Sequence, residues 1–405
     1  MNNMTFPRMR EEGSPGSNRG AAAVRLLLLA GLVVGASGSF CHRQPEPSFQ
    51  IENVSNNPSY SDRPCIACTR EGHVALAWSD YTTGHEEVWL VEKDKGGAWS
   101  APYNLSKAGN INGSRGVSLC YDRDRTLHAA WSQFAPRGQA GAWTIVYTRR
   151  PPGGDWAVPE TIWHGTAVVP HICADTSGAV HLEFEDMSSR STICYSSRSS
   201  AGMWAPVLEV SAPYTAAIGT GGIGAYDDGT AVVVWERDEG PGEFGSLLWS
   251  ERTLGGAWSP PAVVDFPARY CLGPTVGTNG NEAVLAFAAS NPGQWLVVLT
   301  RRAHAPWSEP DTSCESRNPG MLAAALSSAN VVVAAWVNAA EPAFRLARRD
   351  DEWAQAVVND GRYVSMTTVA VDADDHVHLA WKGEPDYPLP GDIYYTEMDI
   401  GDLRK

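Results

Sequence analysis

His73-Val-Ala-Leu-Ala-Trp78 is a short apolar run that ends on an aromatic residue, and runs of the same kind recur along the chain. The later copies end at Trp131, Phe184, Trp235, Phe287, Trp336 and Trp381, with gaps of 53, 53, 51, 52, 49 and 45 residues. An even spacing of about 40–50 residues in strand-rich sequence is the mark of a β-propeller, each repeat folding as one blade. Outward from Trp78, Cys65-Ile-Ala-Cys68 reads as the innermost strand and Glu71-Gly72 as a turn. Glu87-Val-Trp-Leu-Val-Glu92 reads as the third strand, and Tyr103-Asn-Leu-Ser106 as the outer one. Gly- and Asp-marked turns between such runs favour antiparallel hairpins.

A second aromatic series keeps the same register: Trp99, Trp156, Trp204, Trp258, Trp307 and Trp353. Each reads as a core staple, contributing on the order of 4–6 kcal/mol at most if fully buried. The last unit, from Val369 to Glu397, holds only three strands. Phe49-Gln-Ile-Glu-Asn-Val-Ser55 resembles the outer strand of the first unit, and pairing it there would remove an exposed edge. The expected fold is therefore all-β: a seven-bladed propeller of four-stranded antiparallel blades, closed by the N-terminal strand. Six blades plus an irregular sheet is the alternative, because units five and six are the least regular. The boundaries are a leader at 1–40, a tether at 41–48, one domain at 49–400 and a tail at 401–405.

The chain carries a net charge of −15, which disfavours nucleic acid as a partner. Arg8, Arg10, Arg19 and Arg25 precede an apolar stretch from Leu26 to Val34, followed by small residues. That is the pattern of a secretory signal, and the stretch is too short to span a bilayer. Cys41 is the candidate for lipidation, although Phe40 sits where a lipobox wants a small residue; ordinary cleavage near Ala36 or Gly38 is the alternative. The expectation is a monomer that is secreted, periplasmic or held at the cell surface, with no cofactor. Export permits disulfides, and Cys271 with Cys314 is the pair that could be bridged. Cys65 and Cys68 face opposite ways on a strand, which argues against a redox pair or half of a zinc site.

Some polar residues are repeat positions. His128, His181 and His378 each lie three residues before the aromatic and read as structural. Asp122-Arg-Asp124, Asp227-Asp-Gly229 and Asp372-Ala-Asp-Asp375 read as turns built by local hydrogen bonds, the last being the one place for calcium. A different pattern appears where inner strands begin. Arg63, Arg115, Arg269, Arg317 and Arg362 stand there, while loops between second and third strands carry carboxylates such as Asp80, Glu86, Glu185, Glu236 and Glu384. In a propeller these segments share one face near the axis. An arginine fork suits a carboxylate ligand, and mutual salt bridging is the structural alternative.

Tyr60-Ser-Asp-Arg-Pro64 is similar to the arginine motif that opens the sialidase (neuraminidase) propeller, and Asp80 falls where that family places its acid/base aspartate. Asp94-Lys-Gly96-Gly-Ala-Trp99 resembles a degenerate Asp-box of the kind called a BNR repeat, with Glu92 where Ser or Thr is usual. The resemblance implies a carboxylate-binding arginine triad and a tyrosine nucleophile assisted by a glutamate. Arg63 fits the triad by motif, and Arg269 and Arg362 by location. Tyr270 and Tyr363 follow those two, and Glu236 is the glutamate. The implied function is an exported sialidase-like propeller that recognises, or recognises and hydrolyses, an acidic glycan. The alternatives are a non-catalytic extracellular binding or assembly propeller and a polysaccharide lyase, for which His171 is the candidate residue.

Overall fold

The structure is a computed structural model. It describes residues 49–404 apart from 108–112, 135–142, 189–190, 212–217, 238–244, 269, 291–292, 315–318, 339–343, 350–351, 359–361 and 385–390. The first repeat shows how a blade is made. Ser61–Cys68, Val74–Asp80, Glu87–Lys93 and Tyr103–Asn104 form one antiparallel sheet in chain order. The alternate residues of Val74–Asp80 face the blades on either side, so the whole strand is buried. The remaining inner strands are Ser114–Tyr121, Ala167–Ala174, Ile218–Ala225, Tyr270–Thr278, Pro319–Leu326 and Tyr363–Val371. Each packs on the next, and the last packs on the first, which closes the ring.

Six sheets have four strands, so the expectation of seven complete blades is corrected to six complete blades plus an irregular sheet. The irregular one is the repeat of Phe287, with three strands: Tyr270–Thr278, Glu282–Ser290 and Gln294–Arg302. Its fourth strand is reduced to a single bridge between Val298 and Asp311. Pro306 and Pro310 supply no N–H there, and the Asp311 side chain takes the next free one, from Ser313 at 2.8 Å. The N-terminal closure takes the expected form. Glu52–Asn53 pairs antiparallel with Asp392–Asp399, Glu52 opposite Tyr395, and completes the last blade.

The first aromatic series is fully buried between blades: Trp78, Trp131, Phe184, Trp235, Phe287, Trp336 and Trp381 are all at most 1% exposed. The second series is only half-buried, which reduces the contribution expected of it. Its members join neighbouring blades edge-to-face: Trp99 on Tyr395 at 4.9 Å, Trp204 on Tyr147 at 5.0 Å and Trp258 on Tyr195 at 4.9 Å. Cations cover the joints, with Lys93 4.2 Å from the Tyr395 ring and Arg301 4.5 Å from Trp249.

Candidate functional site

Every inner strand is interrupted by a β-bulge near its start, between Asp62 and Cys65 in the first blade and at matching places in the others. A residue in the left-handed region sits in six of them: Arg63, Gly116, Val169, Gly273, Met321 and Met366. Val169, at φ 51°, is β-branched, and such a residue takes this conformation only when its surroundings impose it. A bulge bends the strand and re-aims its side chains. The face where the inner strands begin is therefore a ring of bent backbone, called here the leading rim.

In two blades the residue after the core aromatic braces the next bulge. Ser79 Oγ accepts from Gly116 N at 3.3 Å, and Glu236 Oε1 accepts from Gly273 N. The matching residue of the last blade is Lys382, and it reaches side chains instead. Its Nζ lies 2.7 Å from Glu384 Oε1, donates to Tyr60 OH at 2.8 Å and stands 3.8 Å from Asp62 Oδ1. Burial alone would lower its proton affinity, but Glu384, Tyr60 and Asp62 together raise it, so this buried lysine is charged.

Next to this cluster, Arg63 Nε lies 3.6 Å from Asp62 Oδ2 and has no hydrogen-bond partner, while Arg115 lies 4.1 Å from the Trp143 ring centroid. Both guanidinium groups act on Glu86. Burial raises the Glu86 carboxyl above its ordinary range despite their pull. Tyr81 OH donates to Glu86 Oε2 at 3.2 Å, and burial together with that carboxylate raises the phenol. The arrangement brings two arginines from adjacent blades, a protonatable carboxyl and exposed aromatic rings onto one sector of the rim.

Asp80 is 1% exposed and accepts from Asn57 Nδ2 at 2.7 Å, Ser61 Oγ at 2.8 Å, Trp78 Nε1 at 3.1 Å and Thr82 N at 2.7 Å, besides Thr82 Oγ1. Burial opposes its ionisation, but these donors win and hold the carboxyl below its usual range. It is an ionised loop anchor. Glu236 is raised by burial and serves the Gly273 bulge. Tyr270 and Tyr363 are 38% and 52% exposed where their inner strands begin. Arg362 lies 4.3 Å from the Tyr394 ring centroid, in a space that Gly383 leaves open. Arg269, Arg317 and Cys41 lie outside the described residues.

His171 follows the third bulge and pairs through Nδ1 with Glu183 Oε2 at 2.9 Å. Glu183 breaks the repeat, because the other blades place Ala77, Ala130, Val234, Ala286, Ala335 and Ala380 there. Gly221 makes room for it: a Cβ there would come within 2.8 Å of Glu183 Oε1.

The opposite face carries the turns. His128 links Tyr147 OH at 2.7 Å to Asp122 at 3.1 Å, and His181 links Tyr195 OH at 2.8 Å to Asp175 at 3.2 Å. His378 pairs with Tyr395 OH at 2.9 Å and lies 3.6 Å from Asp372. These relays tie a turn to two strands. Asp372 Oδ1 accepts from the Asp374 and His376 backbones, and among the described residues no three ligating groups form a metal cluster. Glu92, in the Asp-box-like turn, pairs with His73, Tyr121 and Arg150. An axial cavity of about 310 Å³ opens on this turn face, away from Arg63 and Arg115, with Arg70, Asp122, Asp175 and Asn279 in its lining.

None of the seven cysteines of the described residues is in a disulfide, so Cys271 and Cys314 are not bridged. They occupy different inter-blade layers, one with Phe287 and the other with Trp336. Burial raises the thiols of Cys65 and Cys68 to about 11 and about 12, which makes both inert.

Lys382, Tyr81 and Trp143 escaped sequence reasoning. One signal was available for Lys382: aligned on the aromatic, it is the only cation among Ser79, Ser132, Glu185, Glu236, Ala288 and Val337.

No protein-family model matches the chain, and no curated protein matches it. Solved structures do resemble it. The BP39L lectin from Burkholderia pseudomallei is similar over 84% of this chain and 97% of its own, at 14% identity and a TM-score of 0.61. The polysaccharide lyase Uly1 is similar over 83% of this chain and 89% of its own, at 10% identity and a TM-score of 0.57. A protein of unknown function from Dyadobacter fermentans DSM 18053 covers 86% and 99%, at 12% identity and a TM-score of 0.53. These likenesses define the class: an all-β propeller built from four-stranded antiparallel blades.

Proposed function

We propose that this chain is an exported propeller whose leading rim recognises an acidic glycan, with Arg63 and Arg115 gripping the anionic group. The observation that carries the reading is the pair of guanidinium groups from adjacent blades on one sector of the rim, Arg63 with 38% of its side chain exposed and Arg115 over the Trp143 ring. Arginine N–H groups in a partly buried setting call for an oxyanion. A lectin and a polysaccharide lyase on the same fold give the carbohydrate class its background. Recognition is favoured over sialidase turnover, since Asp80 is held ionised by its donors instead of carrying the proton a general acid must give. The leader, with Cys41 as its lipidation candidate, accounts for delivery to the cell surface.

The test is binding of the purified protein to an array of uronate-, sialate- and sulfate-bearing oligosaccharides beside neutral ones, with Arg63→Ala and Arg115→Ala. Selective binding to anionic glycans, lost by at least tenfold in either variant, is expected. A fluorogenic sialoside run in parallel reports turnover. Equal binding to neutral and acidic probes, or none at all, refutes the reading. A second reading, a lyase acting on a uronate polymer, draws on the His171–Glu183 pair, which fixes one ring nitrogen and leaves the other for proton abstraction. New absorbance from an unsaturated uronate product, abolished in His171→Ala, would favour it.

A further inference from the structure

Beside the two arginines lie two tyrosine rings whose hydroxyls are both tethered while their rings stay exposed. Tyr60 is 36% exposed and Tyr81 is 42% exposed, and the ring centroids lie 5.9 Å apart, edge to face. Tyr60 OH accepts from Lys382 Nζ at 2.8 Å, and Tyr81 OH donates to Glu86 at 3.2 Å. The Lys382 ammonium also lies 4.2 Å from the Tyr60 ring centroid, so it fixes the ring by an edge and a face at once. Lys382 is in turn fixed by Glu384 and Asp62, both at least nine-tenths buried. Two large exposed rings held still at both ends have lost their rotamer freedom already, and a ligand ring that stacks on them has little more ordering to oppose it.

We propose that Tyr60 and Tyr81 form a stacking platform for the pyranose ring of the acidic glycan, with Lys382 as the positioning residue that sets the platform. The proposal rests on the glycan reading above and adds a subsite to it. A sugar ring offers an apolar C–H face to an aromatic ring while its carboxylate extends to the partly exposed Arg63 side chain, which pairs with Asp62 of the Lys382 cluster. The ligand class is thereby narrowed to anions carried on a pyranose, as opposed to open-chain polycarboxylates.

Two kinds of probe separate the subsites: acidic oligosaccharides (trigalacturonate and sialyllactose) and tricarballylate, an anion with no ring. Titration calorimetry on the full chain is expected to show Tyr60→Ala and Tyr81→Ala weakening the better saccharide at least tenfold, with tricarballylate unchanged within twofold. Tyr60→Phe keeps the ring and should lose less than Tyr60→Ala, while Lys382→Met should fall between them. Arg63→Ala is expected to weaken both kinds of probe. Equal losses on saccharide and tricarballylate in the tyrosine variants, or no loss on the saccharide, overturn the platform and leave the arginine reading standing. Failure of the wild-type protein to bind any acidic saccharide overturns the arginine reading, and the platform with it. Thermal melts of each variant establish that the fold survives.

Discussion

His378 makes the stability of the last blade depend on pH in a direction that can be worked out. The ring is 2% exposed, and burial lowers its proton affinity to about 4 from the ordinary 6.5, outweighing the pull of Asp372 and Glu397. The folded state holds it neutral over a range in which the unfolded chain binds a proton. Between about pH 6.5 and pH 4 the unfolded state therefore takes up more protons, and stability falls as the pH falls through that window. At about 1.4 kcal/mol per unit, the full loss is ~3 kcal/mol, complete below about pH 4. Other carboxylates titrate in the same window, so the measurement is a difference. Equilibrium urea unfolding of wild type and His378→Gln would be run from pH 7.5 down to pH 4. Wild type should lose ~3 kcal/mol more than the variant across the window, because Gln has no proton to gain. Parallel curves for the two proteins would mean that His378 binds protons alike in the folded and unfolded states, and burial would then not be what governs it.

Two further outcomes follow from burial and from the bulge braces. Trp235→Ala should cost ~3–5 kcal/mol in urea unfolding, since its side chain is fully enclosed, and Trp258→Ala should cost less because that ring is half-buried. Glu236→Ala leaves the exposed Gly273 N–H at the fifth bulge to water and should cost ~0.5–1.5 kcal/mol, with faster amide exchange there. Glu236→Gln keeps an acceptor and should behave nearly as wild type; a loss equal to that of Glu236→Ala would show that charge, not the brace, is what matters.

The repeat made most of the fold legible. The buried aromatics, the histidines three residues before them and the N-terminal closure all follow from aligning the copies, because an inter-blade position presents the same demand each time. Asp80 shows why the site was less legible: in sequence a carboxylate at a strand end looks alike whether it faces substrate or collects donors from Asn57, Ser61 and Thr82. The fifth repeat keeps the aromatic period but loses its outer strand to two prolines and one aspartate, which a period of about 50 residues does not register. The bulges are also hidden in the sequence. Nothing about Arg63, Val169, Met321 and Met366 as residue types foretells a shared left-handed backbone.

Function in such a ring should appear where the repeats disagree. The core positions tolerate only aromatic or small apolar residues, since each is packed between two blades and one methylene too many is felt. The positions just before and after the aromatic obey a weaker rule, because they approach the rim. There the copies diverge: Ser79 and Glu236 receive a backbone N–H, Glu183 takes the place of an alanine, and Lys382 leaves the backbone to hold Tyr60. A buried carboxylate and a buried ammonium each carry a desolvation cost that a serine at the same place would avoid. Both departures fall on the rim that also carries the bulges and the two arginines, and the turn face, where an axial cavity opens, keeps its repeated Asp–His–Tyr relays. The costly deviations and the strained backbone thus coincide on one end of the ring, and that coincidence is an argument for the proposed ligand binding on the arginine side of the propeller.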